Sequence, residues 1–270
     1  MQLDEIESVF ERLWPVYGAE DWDAPGFCVA VPADITRVLL AIDVTGAVVA
    51  EAERLGAQLI LAHHPFLLRG TANVNWDDLK GSVIQHALRA GVSIYAAHTN
   101  ADIVKNGVSD TIAQRLGLKD PRPLVGDQGV GHGRIGHLAE PTSLRQLAET
   151  LAHLLPFSPR GITATGDPDH QVQTIALCGG AGDAFIETAF NSGADVFITS
   201  DLRHHVALDA STRPRADQPF ALIDVSHWAA ESLWLESAEN QLKLEAPDVA
   251  FSISEVVTDP WSFSINRSAE

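Results

Sequence analysis

The chain has 270 residues, 46% apolar and 20% charged, ordinary values for one large globular domain or two small ones. Its net charge of −18 repels nucleic acid and anionic membrane at long range, though a bound metal could reverse the local sign at a nucleotide site. No apolar run approaches the roughly 20 residues of a membrane span, and Met1-Gln2-Leu3-Asp4 lacks the basic start of a secretory signal, so a cytoplasmic location is expected.

In chain order, Leu3, Ile6, Val9, Phe10 and Leu13 recur at helical spacing, which predicts a helix over 3–14. The acidic loop Glu20 to Asp23 follows. Apolar runs then predict strands at 37–43, 58–63 and 92–97, separated by helices at 46–55 and 78–90; a further helix at 107–117 follows the turn pair Asn106-Gly107. Pro121 to Gly136 is rich in Gly and Pro and is the expected boundary. Beyond it, helices are expected near 143–155, 183–192 and 228–241, with strands at 172–178, 195–199 and 219–225. The alternation predicts an α/β fold with mixed, largely parallel sheets. Residues 1–124 make a first unit, 125–222 a second, and 223–270 pack back on the first.

Parts of the sequence occur twice. Val38 to Ile42 reappears as Ile175 to Cys178, and Gly56 to Leu61 as Gly193 to Ile198, both at an offset of 137. Each half also carries a histidine pair, His63-His64 and His204-His205, and a His-x-x-x-acid element, His98 to Asp102 and His227 to Glu231, the latter at a looser offset of 129. These features favour duplication over chance recurrence of strand and helix.

Several of these residues carry possible chemistry. Side chains at adjacent strand positions face opposite ways, so His63 and His64 share a pocket only where the strand has ended, as Pro65 suggests. Imidazoles so placed suit Zn, Mn, Fe, Co or Ni; the alternative is one packed histidine and one solvated. Ser226 is a credible helix cap, which sets His227 and Glu231 on one helical face; that spacing also describes an ordinary surface pair. His98 to Asp102 reads as loop at a strand end, where α/β proteins keep their sites. Asp43-Val44-Thr45 and Ser200-Asp201 also end strands, although a lone Asp there is usually a cap. Cys178-Gly179-Gly180-Ala181-Gly182-Asp183 reads as a tight turn rather than a phosphate cradle.

Taken together, Glu20-Asp21-Trp22-Asp23, Ala41 to Thr45, Ala62 to Phe66, Ala97 to Asp102, Gly133-Arg134-Ile135-Gly136, Gly179 to Gly182, Thr199-Ser200-Asp201 and His227 to Glu231 resemble the GTP cyclohydrolase 1 type 2 homolog family, also called NGG-interacting-factor-like proteins. The resemblance implies two intertwined, duplicated α/β units in a compact form without an inserted domain, and a toroidal homohexamer, a trimer of dimers. It further implies two divalent metal ions held by His63, His64, Asp102, His227 and Glu231, with Glu231 bridging. Three ligands then come from the first half and two from the second, so neither half should bind the metals alone. Where the family usually has Asn and Gly, this chain has Ala24, Ser200 and Ser226; none is an implied ligand, and all bear on the pocket rim.

The leading expectation is a dinuclear-metal hydrolase acting on a nucleotide or nucleotide-derived molecule. Two cations roughly 3.5–4 Å apart would share a carboxylate and a water, lowering the pKa of that water towards about 7. The bridging hydroxide would attack, and His98, with Glu231 the catalytic assignment, would protonate the leaving group. Asp43, Thr45, Thr99, Asn100, Asp201 and His205 would orient ligands or contact substrate. GTP ring opening and phosphoester hydrolysis are both compatible. The rival class is a non-enzymatic, metal-dependent binding or chaperone-like ring.

Overall fold

Runs such as Val38-Leu39-Leu40-Ala41 and Leu59-Ile60-Leu61-Ala62 show no polar alternation, the mark of parallel strands covered on both faces. In the computed structural model, which describes residues 1–213 and 219–265, both runs are strands with almost no exposed surface. The elements are α1 (Leu3–Leu13), β1 (Gly26–Val29), β2 (Arg37–Ala41), α2 (Gly46–Leu55), β3 (Leu59–Ala62), α3 (Leu79–Ala90), β4 (Ser93–Ala96), α4 (Thr99–Asp102), α5 (Val108–Arg115), β5 (Lys119–Arg122), β6 (Val125–Asp127) and β7 (Val130–His132). They continue with β8 (Arg134–Ser143), α6 (Leu144–Leu154), β9 (Thr163–Ala164), β10 (Gln171–Ala181), α7 (Ile186–Asn191), β11 (Val196–Ser200), α8 (His204–Ser211), β12 (Ala221–Val225), α9 (His227–Glu245) and β13 (Ala250–Ile253). No helix among the described residues is long and apolar enough to cross a membrane.

The chain forms two compact units: Met1–Ala101 with Leu235–Thr258, and Asp102–Trp234 with the segment from Asp259. In the first, the sheet order is β1-β4-β3-β2-β13, all parallel except β1. Val48, Val49 and Ala52 of α2 and Val83 and Ala87 of α3 join Leu39, Ile60 and Ile94 in one core. Both helices carry their own stop and start signals. Thr45 and Asp78 accept from the backbone N–H groups of Val48 and Gly81, and Gly56 and Gly91 end the helices in the left-handed conformation.

In the second unit the order is β5-β8-β10-β11-β12-β9, with β10, β11 and β12 parallel, and β6 and β7 form a separate hairpin. The Gly/Pro-rich stretch Pro121 to Gly136 therefore falls within strands β5 to β8 and the turns between them. Ile186, Ala189 and Ala210 pack with Ala176, Phe197 and Leu222.

Strand register expresses the duplication residue by residue. Val38 pairs with Leu59 in the first unit, and Ile175 with Val196 in the second, so the offset of 137 holds across the pair. The antiparallel edge strands obey it too: Gly26 opposite Ala96 corresponds to Thr163 opposite Asp224. The third parallel strand is offset by 128, as Leu59 pairs with Ser93 and Val196 with Ala221. One sequence-based pairing changes as a result. The equivalents of His63-His64 are Ser200-Asp201, and His204-His205 instead opens α8.

Candidate metal centre

In open parallel sheets, sites gather beyond the carboxyl ends of the strands. In the first unit, β3 ends at Ala62, and the chain bends so that the rings of His63 and His64 lie 5.0 Å apart. His98, two residues past β4, completes the group, its ring 5.3 Å from that of His63 and 5.5 Å from that of His64. One ligand nitrogen from each of the three lies within 4.8 Å of the others, close enough for one metal ion to be held. The sequence had given His98 a catalytic role apart from the ligands.

Each ring is oriented through Nδ1. Fully buried His63 has its Nδ1 2.9 Å from the carbonyl oxygen of Ala97. Nδ1 of His64 is 2.8 Å from Asp43 Oδ1, and the other oxygen of Asp43 accepts from Thr258 at 2.5 Å. Nδ1 of His98 is 2.7 Å from Asp23 Oδ1. A carbonyl can only accept, so His63 carries a proton on Nδ1. Such anchoring fixes tautomer and ring orientation in metal-binding histidines.

Asp23 is a hub the sequence did not single out. Its Oδ2 accepts from Thr99 Oγ1 at 2.5 Å and Thr99 N at 3.1 Å. Burial alone would raise its pKa, but hydrogen bonds from His98 and Thr99 and the charge of His98 override burial and hold it at about 2. Thr99 also accepts from the Glu20 N–H at 3.0 Å, and Asn100 bridges from the His98 N–H (2.9 Å) to the Trp14 carbonyl (2.7 Å). Thr99 and Asn100 thus brace the strand end. Thr45 serves as the cap of α2. The stretch read as loop contains the one-turn helix α4, which ends at Asp102.

In the second unit, Ser226 caps α9 by accepting from the Ala229 N–H at 3.2 Å, as expected, and itself donates to Asp259 at 2.7 Å. The helix sets His227 Nε2 2.9 Å from Oε1 of Glu231, a carboxylate only 3% exposed. His227 Nδ1 lies 2.7 Å from Asp201 Oδ2. That hydrogen bond lowers the Asp201 pKa, against burial and with help from the charges of His227 and Arg160. Asp201 sits just past β11 with φ of +58°, a left-handed conformation that Asp tolerates better than most residues.

The glycine run read as a turn is instead the end of β10. Register slips between Leu177 and Ala181, a bulge that brings backbone up to His227 and Glu231. Gly180 has φ of +71°, and a Cβ there would lie 2.6 Å from Glu231 Oε1. Thr199 pins the bulge, donating to the Gly180 carbonyl at 3.0 Å and accepting from the Gly182 N–H at 2.8 Å. Beneath it, the Cys178 thiol is pushed far up, first by burial and then by the charges of Asp102 and Glu231, so it stays protonated. His205 lies exposed on α8 with its ring 5.1 Å from that of His204.

The family profile described as Duf34/NIF3 (NGG1p interacting factor 3) matches residues 1–260. A Streptomyces coelicolor protein named GTP cyclohydrolase 1 type 2 homolog is 40% identical over 97% of this chain and 94% of its own. A Clostridium perfringens protein of the same name is 30% identical over 97% and 100%. Among solved structures, a Bacillus cereus protein related to NIF3 is similar with a TM-score of 0.89 and 25% identity, covering 98% of this chain and 99% of that one.

Proposed function

The chain belongs to the Duf34/NIF3 family, and from that premise we propose that it is a dinuclear-metal hydrolase of a nucleotide or nucleotide-derived molecule, with His63, His64, Asp102, His227 and Glu231 as ligands. One observation carries the reading: His63, His64, His98 and His227 all have Nδ1 within 2.7–2.9 Å of a carbonyl or carboxylate oxygen. Exposed His153 on α6 meets the Glu149 carbonyl through Nδ1 as well; the four differ from it in lying at strand and helix ends among clustered ligand atoms, where such anchoring serves metal-binding histidines. Imidazole with carboxylate is a donor set suited to Zn, Mn, Fe, Co or Ni.

Divalent ions, when bound, supply Lewis acidity: they acidify water and hold developing negative charge. The chain's own groups do the rest. Asp43 and Asp201 hold His64 and His227 in orientation. Asp23, ionised at neutral pH, holds His98 by Nδ1, so Nε2 is the atom that passes a proton to the leaving group. Trp22, 61% exposed, presents its ring edge-to-face to His98 at 5.8 Å. An exposed aromatic face beside the proton donor suits a planar heteroaromatic ring, and the name GTP cyclohydrolase 1 type 2 homolog borne by the relatives points to the same substrate class.

The test is turnover. Metal-reconstituted protein is screened against nucleoside triphosphates and phosphoesters, with Glu231→Ala alongside. A product whose formation falls at least about a hundredfold in the variant is expected, since Glu231 serves the metals directly. Full metal occupancy without turnover of any substrate would favour a metal-dependent binding protein, and undiminished turnover by Glu231→Ala would remove the ligand assignment.

A further inference from the structure

Register equivalence extends into the loops before the edge strands. Asp23 lies three residues ahead of β1, and its equivalent, Arg160, lies three ahead of β9. Each leaves its loop to grip strand-end groups within its own unit. Asp23 holds His98 and Thr99 beyond β4. Arg160 donates from Nη1 to Asp201 Oδ1 at 3.3 Å and from Nη2 to Asp224 Oδ2 at 2.7 Å, the one just past β11 and the other on β12. The two repeats use one position for one task with opposite charges, because the groups to be held are a histidine in one and carboxylates in the other.

We propose that Arg160 is the positioning residue for His227: it fixes the Asp201 carboxylate by one oxygen while the other oxygen engages His227 Nδ1. The geometry divides the labour. Asp201 Oδ1 faces the guanidinium and Oδ2 faces the imidazole, so the carboxylate plane is set from both ends. Asp201 needs such external support, because its left-handed backbone persists only where surroundings over-determine it. The planar fork of Arg holds two carboxylates in a fixed geometry, whereas the three rotatable donors of Lys impose no plane. Arg160 also balances charge, since Asp201 and Asp224 lie against it and Glu231 meets His227 from the other side.

This inference rests on the metal-centre reading, and its test separates the two. Zinc affinity is measured by chelator competition for the wild type, Arg160→Ala, Asp201→Asn and the double variant. Ring-nitrogen NMR shifts of His227 are recorded on the same proteins without metal. Each single change is expected to weaken zinc binding about tenfold, the low end for outer partners of a ligand, with the double no weaker than Asp201→Asn alone. Arg160→Ala should also move the His227 shifts, Arg160→Lys should restore them only in part, and Arg213→Ala, which breaks the peripheral pair with Glu187, should leave them in place. Unchanged shifts in Arg160→Ala, or additive losses of affinity in the double variant, would overturn the proposal. If the wild type binds no zinc, the metal reading falls, and the His227 shifts still decide the role of Arg160.

Discussion

Gly180→Ala is expected to fold and yet bind divalent metal at least tenfold more weakly than the wild type. The added methyl would sit 2.6 Å from Glu231 Oε1 and 3.4 Å from His227 Nε2, and the first distance is far inside van der Waals contact. Glu231 is buried near the start of a helix whose cap is fixed, so relief comes by turning its carboxylate away from His227. The backbone adds to the cost, because an L-residue at φ of +71° loses roughly 1–2 kcal/mol relative to glycine. Gly46→Ala is the matched control: it lies in α2 with nothing within 4 Å of the new Cβ, and should be neutral or stabilising by up to about 1 kcal/mol. Melting curves and zinc titrations of both variants check the contrast. Wild-type affinity in Gly180→Ala would mean that Glu231 is not held where a metal needs it.

The largest stability effect is expected at Arg134. Its side chain is 2% exposed, pairs with Asp110 at 2.9 Å, and donates to the carbonyls of Gly131, Gly133 and Val104 at 2.7–2.9 Å. Arg134→Met keeps the bulk but strands a buried carboxylate and several carbonyls, which costs about 3–5 kcal/mol. Pairing it with Asp110→Asn should recover part of the loss, because the penalty comes from an uncompensated charge. Asp110 Oδ2 would still be served by the Asn106 N–H at 2.8 Å and Gln114 at 2.9 Å. Urea denaturation of the single and double variants measures this. Since Arg134 also grips the backbone just after Asp102, weaker metal binding should accompany the lost stability.

The fold was largely legible because its signals are local. Apolar runs marked β2, β3 and β4, and the capping residue Ser226 marked the start of α9. The repeat at an offset of 137 was visible as letters and carries through as hydrogen-bond register. What escaped was long-range or masked by residue identity. His204-His205 looks like a second His63-His64, but register pairs the latter with Ser200-Asp201. The one-turn helix α4 is too short to leave a helical period. Gly180 sat in a run whose composition reads as a turn, and only the approach of Glu231 shows why a side chain is excluded there. Asp23 and Arg160 act on residues 41 to 76 positions away, and no spacing rule connects them to their partners.

The claim on which these predictions depend is that the oriented histidines and buried carboxylate exist to hold metal. Elemental analysis of wild-type protein purified without added metal, beside Glu231→Ala prepared identically, tests it most directly. The account predicts divalent ions in the wild type, rising to two per chain on reconstitution, and a loss of occupancy in the variant. A wild-type protein that carries no metal and takes up none when it is supplied would contradict it.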